Sequence, residues 1–154
     1  MATFVLESII QFIKKPQDIF FNKILDFLSK NQIKGKLSEN LLSIMIKNNI
    51  KASLVTFNTL LDLYITQNNY TMANHLFKSL NQKREPCPDN FTFSIMINGV
   101  KNMPNASIET AKEYYSQFVT QFGMDVIILN SFLEVCVTLG DFEQLDSTML
   151  EFYS

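Results

Sequence analysis

Four segments of the chain repeat one pattern of apolar and polar positions: DIFFNKILDFL from Asp18, LVTFNTLLDLY from Leu54, NFTFSIMINGV from Asn90 and VIILNSFLEVC from Val126. Their starts are spaced by 36 residues each time. The fourth place holds Phe21, Phe57, Phe93 and Leu129, and the fifth holds Asn22, Asn58, Ser94 and Asn130. The ninth holds Asp26, Asp62, Asn98 and Glu134. A fixed period carrying an apolar, a small polar and an acid-or-amide position in register is the signature of a repeat architecture.

Each unit reads as a helical hairpin. In the second, Val55, Leu60, Leu61 and Tyr64 form an apolar stripe at helical spacing, and Asn68 and Asn69 break it. A second helix follows, with Ala73, Leu76, Phe77 and Leu80 at i, i+3, i+4 and i+7. Pro86 and Pro88 then stop it, because proline cannot continue a helix and pushes its predecessor towards extended geometry. The third unit has a longer interhelix loop through Met103, Pro104 and Asn105, and recovers the register by a short exit through Phe122, Gly123 and Met124. The fourth starts its second helix after Gly140 and Asp141.

The pattern predicts about nine helices in one all-α domain, an α-α superhelical solenoid of stacked hairpins. Its parts are the second helix of a partial preceding repeat over 1–17, a divergent repeat over 18–53, repeats over 54–89 and 90–125, and a partial repeat over 126–154. Half-units at both ends suggest a piece of a longer array, or ends covered by a partner.

Composition agrees with long helices. Glycine and proline total only 8 residues, about 5% against roughly 12% in average usage, too few for many tight turns. With 47% hydrophobic and 18% charged residues the chain is ordered rather than disordered. Two cysteines, Cys87 and Cys136, rule out a disulfide-stapled scaffold. The stretch from Phe4 to Ile13 falls far short of the ~20 apolar residues that span a membrane, and MATFVLESIIQF resembles neither a transit peptide nor a secretory signal.

Charge is graded. Residues 1–53 carry eight lysines against four acids, net +4; residues 90–154 carry two lysines against eight acids, net −6. A polyanion should therefore prefer the N-terminal end, where Lys14, Lys15, Lys23, Lys30, Lys34 and Lys36 either track phosphates or form a solvated face. Catalysis finds no support. His75 is the only histidine, the cysteines form no Cys-x-x-Cys pair, and the four glycines are isolated, so no phosphate-cradling loop can be built. Cys136 falls on an apolar stripe and Cys87 in a loop. No cofactor, metal or small-molecule substrate is expected, and the repeats leave no room within 154 residues for an appended enzyme domain.

The string Val55-Thr56-Phe57-Asn58-Thr59-Leu60-Leu61-Asp62, with Ala73, Leu76, Phe77 and Pro88-Asp89 behind it, resembles the pentatricopeptide repeat (PPR), whose unit of about 35 residues reads V-T-Y-N-x-L-I-x, A-x-x-L-F, P-D. The resemblance extends from Asp18 onward and weakens before Ser53, where Leu37, Asn40 and Leu41 replace the usual Ala, Leu and Phe. The tetratricopeptide alternative lacks its tryptophan and Leu-Gly pair.

The resemblance implies single-stranded RNA binding at about one base per repeat. The fifth and last residues of a unit would choose the base: Asn22 with Ser53, Asn58 with Asp89, Ser94 with Asp125, and Asn130 without a partner in the chain. The second residues, Ile19, Val55, Phe91 and Ile127, would pack on it. Family usage then implies a C-U-G-pyrimidine footprint on an organellar, most often mitochondrial, transcript or ribosomal RNA. The same positions also suit other roles: Asn58, Asp89 and Asp125 as helix caps, the second-place residues as core. Four bases stacking at roughly 1–3 kcal/mol each barely match the estimated ~4–15 kcal/mol cost of association, so further repeats or a partner would be needed for tight binding. The alternative is a protein-interaction scaffold in a large ribonucleoprotein assembly, with no direct base reading.

Overall fold

A computed structural model of the chain describes residues 18–31, 36–82 and 86–153. The helix expected over Ala2–Lys15 lies outside the described residues. Eight α-helices and no strand occur among those described, an all-helical order consistent with a helical repeat: α1 (Asp18–Lys30), α2 (Lys36–Lys47), α3 (Leu54–Thr66), α4 (Tyr70–Asn81), α5 (Asn90–Val100), α6 (Ile108–Phe122), α7 (Val126–Leu139) and α8 (Phe142–Tyr153).

The chain divides into two compact units, 1–69 and 70–154. In the first, α1 packs on α3 and on α2. Phe21, Leu25 and Leu28 of α1, Leu41, Ile44 and Met45 of α2, and Leu60, Leu61 and Tyr64 of α3 are buried. Val55 departs from the expected stripe. It sits at the exposed start of α3, 62% accessible, because the 100° step of the helix turns it away from the Leu60–Leu61–Tyr64 face.

In the second unit, α5 packs on α6 and α7, and α7 packs in turn on α6 and α8. Both units thus show the same step: the first helix of one repeat lies against the first helix of the next. Phe93 is the pivot of the second core, edge-on to Phe77 at 5.1 Å and to Phe118 at 5.3 Å between ring centroids. Tyr115 stacks on Phe132 at 4.6 Å. Such ring pairs contribute about 0.5–1.5 kcal/mol beyond area burial. The fourth-place column, Phe21, Phe57, Phe93 and Leu129, is buried throughout and builds the core.

The turns explain how helices stop in a chain so poor in glycine. After α2, α3 and α7 the residues Asn49, Asn68 and Gly140 take left-handed backbone angles, φ 55°, 60° and 75°. In each case the next amide returns to a carbonyl five residues back: Ile50 to Met45 at 2.9 Å, Asn69 to Tyr64 at 2.8 Å and Asp141 to Cys136 at 2.9 Å. This is the Schellman stop, and asparagine is the residue after glycine that tolerates it best. The Asn68–Asn69 break therefore has a specific backbone cause.

Candidate nucleic-acid interface

The residue that ends one unit is the N-cap of the next unit's first helix. Ser53 caps α3, Asp89 caps α5 and Asp125 caps α7. Ser53 and Asp89 form reciprocal capping boxes with Thr56 and Thr92, the third residue of each helix. Thr92 N and Oγ1 both donate to Asp89 Oδ1, at 2.9 and 2.8 Å. Asp125 Oδ1 accepts from the amides of Ile127 and Ile128 at 2.8 and 3.2 Å. Capping is thus realised at all three, and it fixes each side chain at the mouth of a helix.

The second-place residues are not core. Ile19, Val55, Phe91 and Ile127 are 58, 62, 58 and 38% exposed, although each belongs to a helix whose fourth-place residue is fully or nearly buried. Four large apolar side chains left in solvent at the same place of four repeats form a recurrent feature that burial does not account for. Isolated exposed apolar residues need no explanation, but a periodic set invites one.

The fifth-place residues differ among themselves. Asn22, Asn58 and Ser94 are half-buried and Asn130 is exposed. Asn22 Oδ1 is buried with no hydrogen-bond partner among the described residues, so a base contact by Asn22 would fall to the other end of its amide. Ser94 Oγ lies 2.7 Å from Ser131 Oγ on the neighbouring α7. One turn before Ser94, Asn90 Nδ2 donates to Asp125 Oδ2 at 3.1 Å. Residues four apart share one helix face, so Ser94 and the bound Asp125 lie at adjacent turns of the α5–α7 seam. Of the third unit's expected pair, Asp125 is thus held by Asn90 and Ser94 by Ser131, two residues that the sequence did not single out. Both occupy places that vary from unit to unit: Asn90 aligns with Asp18, Leu54 and Val126, and Ser131 with Lys23, Thr59 and Ile95.

Charged groups give less to a polyanion than the composition suggests. Lys30 pairs with Asp26 at 2.7 Å, and Lys101 pairs with Glu134 across the α5–α7 seam. Lys23 is exposed. Lys14, Lys15 and Lys34 lie outside the described residues, and of Lys36 only the backbone is described. His75 is exposed, Cys87 is exposed and Cys136 is buried. Among the described residues no three His, Cys, Asp or Glu side chains group to hold a metal, and no helix is long and apolar enough to cross a membrane.

A search among curated proteins gave no match to the chain. Residues 52–102, which run from the cap of α3 to just past α5, match the PPR repeat family. The matched span covers about a third of the chain, and what the chain shares with pentatricopeptide repeat proteins is that span together with the all-helical fold and the 36-residue period that continue on either side of it.

Proposed function

We propose that the chain binds single-stranded RNA through the second and fifth places of its first helices and the capping residues between units. The observation that carries this reading is the exposure of Ile19, Val55, Phe91 and Ile127, apolar side chains held in water next to polar reading positions. A flat apolar or aromatic group beside a hydrogen-bonding group is what an unstacked base requires, since its face must be covered while its edge is paired. Asn22 with Ser53, Asn58 with Asp89, Ser94 with Asp125 and Asn130 read the edges, and the footprint is C-U-G-pyrimidine. An organellar transcript or ribosomal RNA is the target class, and mitochondria are the compartment, on the habit of the family alone. The protein acts by binding and not by catalysis.

A second reading has its own support. Residues 90–154 carry net −6, and phosphates are repelled by such a surface. On that reading the same exposed places dock a protein in a large assembly.

The two are separated by a titration of the isotopically labelled chain with a short CUGU ribonucleotide, followed by amide chemical shifts. Base reading moves the amides around Val55, Asn58, Phe91, Ser94, Ile127 and Asn130 in a saturable way, even at millimolar affinity. Shifts confined to the lysines of 18–53, equal for RNA and for inorganic polyphosphate, would leave the scaffold reading standing.

A further inference from the structure

The hydroxyl protons at the α5–α7 seam can be assigned by counting contacts. Ser131, which is buried, lies 2.8 Å from the carbonyl oxygen of Ile127, a group that can only accept. That contact takes the one proton Ser131 has. The 2.7 Å contact between Ser94 and Ser131 must then be made with the proton of Ser94. Asn98 Nδ2, 3.4 Å from Ser94 Oγ, donates into the oxygen that remains. The chain Asn98 to Ser94 to Ser131 to Ile127 satisfies all three contacts, and any other assignment leaves one of them unmade. Next to it, Asp125 is a carboxylate and so an acceptor only, with Oδ1 on the α7 amides and Oδ2 on Asn90.

We infer that Ser131 is a specificity-determining positioning residue of the third unit: by taking the only proton of Ser94 it makes Ser94 an acceptor, so that Ser94 and Asp125 together present acceptors alone. The inference rests on the RNA-reading role proposed above. A guanine edge brings two adjacent donors, its ring N–H and its exocyclic amine, and both find acceptors. An adenine edge brings one donor and a bare ring nitrogen, which would face a lone pair. If the proton of Ser94 were free to rotate, the hydroxyl could donate to that nitrogen and the unit would take either purine. The device sits in the next repeat, not in the reading pair, so one unit's selectivity depends on its neighbour.

The test is equilibrium binding of the full chain to four RNAs that differ only in the base facing the third unit. The wild-type chain favours guanine over adenine by about tenfold or more, the scale of one unsatisfied polar contact. Ser131→Ala, a change to the best helix former, raises adenine binding and brings that ratio towards one. In a Ser94→Ala background the same substitution leaves the ratio unmoved. A Ser131→Ala chain that keeps the wild-type ratio, or that loses all four RNAs equally, overturns the inference while RNA reading stands. A wild-type chain that binds RNA without preference at this base does the same. A folded wild-type chain that binds none of the four overturns both.

Discussion

Asn90 and Asp125 stand 35 residues apart and are joined by a 3.1 Å hydrogen bond, so that the cap of α7 is held by the preceding repeat's first helix. One carboxylate thereby does three things: Oδ1 satisfies two of the orphan amides at the start of α7, and Oδ2 ties α7 to α5. Capping and base recognition need not compete for it, because a carboxylate has about four acceptor sites and these contacts use three. Asp125→Ala should cost about 1–2 kcal/mol in urea unfolding, through loss of the cap and the unpairing of Asn90. Asp125→Asn should recover a large part of that, since asparagine caps nearly as well.

The contrast between Phe91 and Phe93 separates packing from binding within one turn of helix. Phe93 is wholly buried against Phe77 and Phe118. Phe93→Ala is expected to cost about 3–5 kcal/mol. It should also lower the thermal midpoint markedly.

Phe91 points into solvent, so Phe91→Ala should leave stability within about 0.5 kcal/mol of the parent. The same substitution is expected to weaken RNA binding by about 1–3 kcal/mol, the range of one base-stacking contact. Parallel melting and binding measurements on the two variants check both statements.

Thiol chemistry should distinguish the two cysteines. Burial pushes the Cys136 thiol up to about 11, with the Asp141 carboxylate adding to the effect, whereas Cys87 is exposed. A thiol reagent at pH 8 should therefore label Cys87 alone in the folded chain and both in denaturant. The linkage has a definite sign. The folded pKa lies above the unfolded one, so this contribution is complete below about pH 9 and is lost as pH rises through about 11. Burial raises Tyr114 and Tyr115 as well, helped by Glu113 and Glu151, and they act in the same direction. Unfolding midpoints should hold up to about pH 9 on this account and fall from there towards pH 11.

The repeat was legible because its cause is local and periodic. A helical hairpin must place an apolar residue at the fourth position every time, and Phe21, Phe57, Phe93 and Leu129 recur for that reason. The stops at Asn68 and Gly140 were legible too, since few residues tolerate a left-handed turn. Val55 was harder. Hydrophobicity alone puts it on the stripe with Leu60 and Leu61, and only the helical angle places it in water. Asn90 and Ser131 could not be found from the sequence, because what matters is a hydrogen bond to the next repeat and not the residue's own propensity. The oxygens of Asn22 and Asn98, buried with no hydrogen-bond partner among the described residues, were hidden for the same reason. A buried acceptor is defined by what surrounds it.

Contact between RNA bases and the second and fifth places of these helices can be read from ultraviolet crosslinking of the native protein in its cellular extract, with RNA-bearing peptides mapped by mass spectrometry. Base reading gives crosslinks within 54–62 and 90–98, with those of the first segment lost in Asn58→Ala. Peptides from both segments recovered free of RNA, while known RNA binders crosslink in the same sample, would contradict it.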